Sequence, residues 1–209
     1  MNIVTSELIT EPYDVDRRLS EMELTRDGLV RARDIALGAA AEATAYHPSF
    51  APGMKSYMEG VFAIRSEFIR AETQWRFEKH NGMDFIRNDS LKIRVGFSNV
   101  LDMPQPSIGP KARSPRGPGA ERACQGNLSF DFGPEFELET QCDTSVATYF
   151  FMVSRNGCAE LSRPIIQGGN FKDYIERLSI SDGSDFDLNP APFEDDGDLD
   201  VFDPVVSRK

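Results

Sequence analysis

Apolar residues recur at intervals of three and four near the N-terminus, which predicts two amphipathic helices. The first runs from Thr25, a suitable N-cap, to about Ala45, and the second from about Met54 to Arg70. The proline-containing segment 47–53 separates them. We expect the apolar stripe of each helix to lie in the core, with a partner or cofactor groove as the alternative. The two stripes are Met22, Leu29, Ile35, Ala36, Ala39, Ala40 and Ala43, and Tyr57, Met58, Val61, Phe62, Phe68 and Ile69.

After Thr73 the apolar period changes from 3.6 to 2, which predicts strands. Trp75 and Phe77 alternate with polar residues up to Asn81-Gly82, a dipeptide that favours a tight hairpin turn. The return strand is 83–87, and a third alternating strand covers 91–97. This segment is therefore predicted to form a three-stranded antiparallel meander.

The segment 127–163 continues the strand pattern. Alternating residues predict strands at 128–132 and 136–138, and the continuous apolar run 146–153 predicts a central strand buried on both faces. Asn156-Gly157 predicts a hairpin into a strand at 158–161, which Pro164 is expected to end. Asn170 then resembles an N-cap, and Phe171, Tyr174, Ile175 and Leu178 fall on one side at helical spacing, which predicts a short helix to Leu178.

These elements predict an α+β fold: two N-terminal helices on an antiparallel sheet of about seven strands, a short C-terminal helix and an extended acidic tail. We expect an N-terminal arm at 1–24, a single domain at 25–178 and a tail at 179–209. An irregular loop rich in proline and glycine, 103–126, interrupts the domain.

Charge is distributed unevenly over the 209 residues. The chain has a formal net charge of −11, of which −7 belongs to the tail, whereas the loop 103–126 carries +3. The 15 phenylalanines exclude a wholly disordered chain, and the acidic balance disfavours a conventional basic nucleic-acid binder. We see neither a secretory signal nor an apolar run of membrane-spanning length, so we expect a cytoplasmic protein, or a virion protein if the source is viral.

Candidate catalytic groups are few. The two histidines, His47 and His80, occur in turns outside known catalytic motifs, and Cys124, Cys142 and Cys158 have neither disulfide-framework nor zinc-pair spacing. We expect no cofactor. Glu135, Glu137 and Glu139 share one face of a predicted strand and form the one candidate metal site, although solvated surface acids are the simpler interpretation.

The two charged segments supply the candidate binding residues. In the loop, Lys111, Arg113, Arg116 and Arg122 are suited to phosphate groups or to an acidic protein surface. In the tail, Asp198, Leu199, Asp200, Val201 and Phe202 place apolar anchors among acids.

This tail sequence resembles the short xLx[LV]F peptides that bind bacterial sliding clamps, with Asp198 in place of the leading Gln. It is also similar in style to the acidic tails of single-stranded-DNA-binding proteins. Those tails usually end on an aromatic residue, whereas this chain ends in Ser207-Arg208-Lys209. Five residues identify no family.

The leading hypothesis is a non-enzymatic assembly subunit of a virion-like particle or multi-protein machine. It would use the loop and the tail as docking arms toward a protein partner or further copies of itself, with no membrane partner. The first alternative is a single-stranded nucleic-acid-binding protein with an autoinhibitory tail. The basic residues of the loop, with Lys92 and Arg94, would contact the nucleic-acid backbone. The bases would stack on Phe130, Phe132, Tyr149 and Phe151. The second alternative, which we rank last, is an enzyme with an acidic metal site on the sheet.

Overall fold

The computed structural model describes residues 7–101, 103, 109–113, 116–132 and 145–186. These residues form four helices and seven strands, as expected for an α+β fold. In chain order they are β1 (Glu7–Ile9), α1 (Pro12–Glu21), α2 (Arg26–Ala41), α3 (Ala51–Phe68), β2 (Trp75–His80), β3 (Met83–Asn88), β4 (Ile93–Asn99), α4 (Pro118–Phe132), β5 (Ala147–Val153), β6 (Cys158–Gln167) and β7 (Asn170–Asp182).

The seven strands form one sheet in the order β1-β7-β6-β5-β4-β3-β2. The prediction of a wholly antiparallel sheet is wrong, because β4 pairs with β5 in parallel and β1 pairs with β7 in parallel. A parallel pair needs a long crossover connection, and the segment between β4 and β5, which contains α4, provides it. The sheet is therefore mixed, with antiparallel hairpins at β2–β3, at β3–β4 and on either side of β6. The predicted three-stranded meander is confirmed as β2, β3 and β4.

The larger core lies between one face of the sheet and the helices α1, α2 and α3. Thr25 caps α2 as expected, since its hydroxyl accepts a hydrogen bond from the Gly28 amide. Alternate residues of the central strands point into this core, as period-two patterning requires. They include Ile86, Val95, Phe97, Tyr149, Phe151 and Leu161.

A smaller core lies on the opposite face, beneath α4 and residues 109–113 and 116. Phe85, Phe150, Phe171 and Tyr174 form a chain of aromatic rings here, with centroids 6.0 to 6.3 Å apart. The Arg116 guanidinium lies 5.3 Å from the centroid of the Phe171 ring. Both faces of the central strands are thus covered, which explains why all seven residues of β5 are buried.

The prediction for 118–132 is wrong: α4 begins inside the expected irregular loop and continues through the expected strand at 128–132. Buried residues in α4 follow a helical period, because Ala120, Ala123, Cys124 and Asn127 share one side. Pro118 begins the helix at its first position, where a missing amide costs nothing. The brief alternation of phenylalanines, to which we assigned a strand, was too short to decide the period.

The predicted helix at 170–178 is also wrong, because these residues belong to the 13-residue strand β7. Gly168 and Gly169 both have positive φ, 58° and 74°, and form a two-residue hairpin turn from β6 into β7. Pro164 does not end β6. It lies at a register shift between the two strands, a position where a residue without an amide donor is tolerated.

The two terminal segments contribute to the body of the protein where they are described. Residues 7–24, within the expected arm, contain β1 and α1. The Arg18 guanidinium of α1 donates to the Glu176 carboxylate of β7 at 2.6 Å and 3.1 Å. At the other end, the expected boundary of the tail at Ser179 falls inside β7, which continues to Asp182.

Candidate functional site

Large apolar side chains are exposed on the outer side of α2 and α3. Met58 and Phe62 are each 59% exposed, Phe50 and Met54 are each 51% exposed, and Ile35 of α2 is 43% exposed. We call these five residues the α2–α3 face. The expectation that Ile35, Met58 and Phe62 lie in the core is wrong, because the sheet is covered instead by other residues of the same helices, such as Leu29 and Ile64.

A pattern in the sequence explains the face. Phe50, Met54, Met58 and Phe62 are spaced by four, so they lie along one ridge of α3. A second series at helical spacing, including Val61, Ile64 and Phe68, supplies the buried side. A helix with two apolar stripes has more apolar surface than one sheet can cover. Counting both stripes in the sequence would have shown that one of them is exposed, but not which one.

A groove of about 510 Å³ runs between α2 and α3 on this side. Small residues of α2 form one low wall of this groove, and charged residues stand at its edges. The Lys55 ammonium lies 3.3 Å from the Glu42 carboxylate across it. Its lining residues are Ile35, Gly38, Ala39, Glu42, Lys55, Met58 and Glu59.

The backbone of α3 is fixed against the sheet by close contacts on its inner side. Gly60 packs directly on the ring of Phe97, and a Cβ at this position would overlap the ring. The Ser56 hydroxyl is 2.8 Å from the Asn99 side-chain oxygen, and the Asn99 amide donates to the Gly53 carbonyl at 2.8 Å. The α2–α3 face is therefore presented on a well-anchored helix, which lowers the entropic cost of binding.

The four basic residues predicted from the loop occupy different environments. Lys111 and Arg122 are exposed, whereas Arg113 and Arg116 are partly buried. Arg113 lines a small cavity beside Gly53 and Asn99, at the N-terminal end of α3. Their proposed binding role stays a prediction.

Arg116 is engaged within the protein. Its guanidinium donates to the Ser98 hydroxyl and to the Asn99 carbonyl, the latter at 2.9 Å. Its backbone amide donates to the Gly169 carbonyl. Burial lowers the pKa of Arg116. These contacts hold the segment after β4 against the ends of β4 and β6.

The predicted tail site, Asp198, Leu199, Asp200, Val201 and Phe202, lies outside the described residues. The described chain ends at Phe186, where Arg33 of α2 holds it. The Arg33 side chain, 1% exposed, donates to both Asp185 carboxylate oxygens at 2.8 Å and 3.0 Å, and its guanidinium lies 5.1 Å from the Phe186 ring centroid. Hydrogen bonds from Arg33 and from the Ser181 hydroxyl lower the pKa of Asp185.

Buried charges stabilise the strands beneath α4. The Arg177 guanidinium donates to both Glu160 carboxylate oxygens at 2.6 Å and 3.0 Å, a bidentate pair with both side chains buried. Asn127 of α4 donates to the carbonyls of Thr148 and Pro164 and accepts from the Thr148 amide. One side chain thus joins α4 to two adjacent strands.

Among the described residues, few side chains are placed where they could act in catalysis or bind a metal ion. Burial raises the pKa of the Cys124 thiol to about 12, as expected for an inert core thiol. The His47 ring is bound to Thr44 in an exposed turn. The described residues contain no group of three or more potential metal ligands. Cys142 and the candidate acids Glu135, Glu137 and Glu139 lie outside them.

The aromatic platforms of the nucleic-acid hypothesis are only partly described. Tyr149 and Phe151 are 2% and 0% exposed, and Arg94 is 1% exposed, so none of the three is accessible to a base or phosphate. Phe130 and Phe132 belong to α4, and their side chains are outside the described residues.

Comparisons of the chain with protein-family models, with curated proteins and with solved structures find no match. None of the four described helices is long and apolar enough to cross a membrane.

Proposed function

We propose that this protein is a non-enzymatic interaction subunit, which binds another protein surface through the α2–α3 face. The observation that carries the proposal is the exposure, at 51 to 59%, of four large apolar side chains along a single ridge of α3. Contiguous apolar patches on a folded surface mark interaction sites, whereas single exposed apolar residues do not.

The chemistry of the α2–α3 face suits a protein partner. Methionine and phenylalanine are enriched at the centres of protein interfaces, and a groove between two helices accepts an apolar helix face. Full burial of one such side chain contributes roughly 1.5 to 3 kcal/mol. Completing the burial of four half-exposed side chains therefore provides several kcal/mol toward association.

The charged segments would assist assembly in this account. Lys111 and Arg122 are exposed basic residues on one segment, and Asp198 and Asp200 belong to the acidic tail. Segments of opposite charge steer association between copies or partners and are sensitive to salt. The setting we propose is a virion-like particle or a multi-protein machine, in the cytoplasm or in a virion.

Photo-crosslinking from the α2–α3 face tests the proposal. A photoreactive amino acid replaces Met58 in the full chain, in the cells that produce the protein, and replaces Leu91 in a matched control. Leu91 is also exposed and apolar, at 37%, but lies in the turn between β3 and β4. We expect one or a few adducts of defined mass from position 58 and none of these from position 91. Equal, diffuse adducts at both positions would refute the proposal.

A further inference from the structure

We infer that the partner of the α2–α3 face is a second copy of this chain, packed with its α3 antiparallel to the first α3 about a two-fold axis at Ser56. This inference rests on the proposed function and identifies its partner. Three observations support it: the order of residues along the ridge, the charges beside the ridge and the shape of the adjoining groove.

The order of residue types along the ridge is the same in both directions. Its residues are Phe50, Met54, Met58 and Phe62, so phenylalanines stand at both ends and methionines in the middle. In a two-fold antiparallel contact, positions at equal distances on either side of the axis face each other. With the axis at Ser56, Met54 faces Met58 of the other copy, and Phe50 faces Phe62. Methionine thus faces methionine, and phenylalanine faces phenylalanine, along the whole ridge.

The charges beside the ridge are also self-complementary. Lys55 and Glu59 lie one turn apart on the side of α3 next to the groove. A two-fold axis perpendicular to both helices brings this side of one α3 against the same side of the other, in reverse order. With the axis at Ser56, Lys55 of each copy is offset from Glu59 of the other by two residues, about 3 Å along the helix, which these long side chains can span. The contact can therefore form two ion pairs. In a parallel two-fold packing this side of one α3 would lie on the opposite edge of the contact from the same side of the other, so Lys55 and Glu59 of the two copies could not pair. The charge pattern therefore favours the antiparallel arrangement.

The groove provides room for the second copy. Gly38 and Ala39 form a low wall on α2, and a Cβ at Gly38 would meet nothing within 4 Å. Methionine side chains adapt readily to irregular apolar surfaces. The methionines of the second copy can therefore lie over this wall while its phenylalanines cover the ends of the ridge.

Sedimentation of the purified full chain over a range of concentrations tests the inference. We expect a concentration-dependent monomer–dimer equilibrium for the wild type. Met58→Asp, which occurs twice in the interface, should weaken dimerisation by roughly 30-fold or more. The control Leu91→Asp, which introduces the same charge at an exposed apolar residue elsewhere, should leave the equilibrium unchanged. Circular dichroism of both variants checks that they fold.

Charge exchange tests the antiparallel register. Lys55→Glu alone and Glu59→Lys alone each bring like charges together and should weaken self-association by about tenfold. Mixing the two variants restores both ion pairs, because each copy then carries the charge opposite to the facing one. We therefore expect the mixture to form heterodimers with nearly wild-type affinity.

Three results would overturn the inference and differ from a failure of the proposed function. In the first, the wild type stays monomeric at every concentration while position 58 crosslinks to a different protein. This result would support the proposed function but would show that the partner is not a second copy of the chain. Dimers that Met58→Asp leaves intact show that copies associate through another surface. A mixture of the charge variants no stronger than its components refutes the antiparallel register. Equal diffuse crosslinking from positions 58 and 91 removes the proposed function itself.

Discussion

At the scale of single residues, Gly60 determines how closely α3 approaches the sheet. It faces the ring of Phe97, which is itself packed on Phe151, with ring centroids 6.1 Å apart. A rigid ring held from both sides cannot move away from an added methyl group. The absence of a side chain at position 60 therefore sets the distance between α3 and the sheet. It also sets how far the α2–α3 face lies from the sheet.

Alanine substitutions at Gly60 and Gly38 should have opposite effects on stability. Both glycines are inside helices, so each substitution gains up to about 1 kcal/mol of helix propensity. At Gly38 the site is open and this gain is retained. At Gly60 the overlap with Phe97 outweighs it, and we expect a net loss of roughly 1 to 2 kcal/mol. Urea unfolding at low protein concentration, where dimers do not contribute, measures both values. A stabilising Gly60→Ala would contradict the described contact.

The sequence identifies many of these residues but not their contacts. The residues of β5, the cap at Thr25 and the Asn81-Gly82 turn follow from local patterns, and the structure confirms them. The buried pairs Arg33–Asp185 and Arg177–Glu160 join residues far apart in the sequence. A short-range sequence pattern cannot predict such a pair, because the pair depends on the order of the strands in the sheet. Only the complete fold determines that order.

At the scale of elements, the end of β7 is attached to α2 through a single buried cation. Arg33 binds Asp185, Ser181 and the Gly157 carbonyl, and so joins the β5–β6 turn, β7 and the segment after it. This attachment fixes the last described residues, Asp185 and Phe186, against α2. It also gives the folded protein a dependence on pH.

Asp185→Asn should reduce stability at neutral pH and have less effect in acid. The pKa of Asp185 is lower in the folded protein than in the unfolded chain, so its contribution is complete above about pH 4 and is lost as the pH falls through the folded value. Because the Asp185 side chain is 49% exposed, we expect a loss of only about 1 kcal/mol at pH 7.

Urea unfolding at pH 7 and at pH 3 measures this difference between Asp185→Asn and the wild type. Asp14→Asn is the control, since its carboxylate pairs with Arg17 on the exposed surface of α1 and should matter little. A difference between wild type and Asp185→Asn that grows as the pH falls would contradict the account.

The elements that sequence patterns assign wrongly share a physical cause. In α4 and in β7 the competing signals are short: a five-residue alternation in one case, and an N-cap residue followed by about two turns of helical spacing in the other. Tertiary packing decided both cases. The side chain of Asn127 and the small residues Ala120 and Ala123 fit α4 against β5 and β6, and the Gly168-Gly169 turn allows β7 to pair with β6 along its length.

At the scale of the whole molecule, the exposed apolar ridge lies on the helical layer, whereas charge is concentrated in the sequence at residues 103–126 and 179–209. The charged segments are evident from the sequence, because acidic and basic residues can be counted along it. The sequence concealed the α2–α3 face, because exposed and buried apolar residues look alike until the fold shows which stripe of α3 meets the sheet. Under the inference drawn above, the α2–α3 face and the charged segments both serve association of the protein with its own copies.

Oxidation of the methionines tests that association most directly. Met54 and Met58 are exposed at 51% and 59%, whereas Met152 is 0% exposed and serves as an internal control. The full chain is treated with dilute peroxide at several protein concentrations, and the rate at each methionine is read by mass spectrometry. We predict that Met54 and Met58 oxidise rapidly at low concentration and become protected as dimers form, while Met152 stays slow throughout. Rates at Met54 and Met58 that do not change with protein concentration would contradict the account.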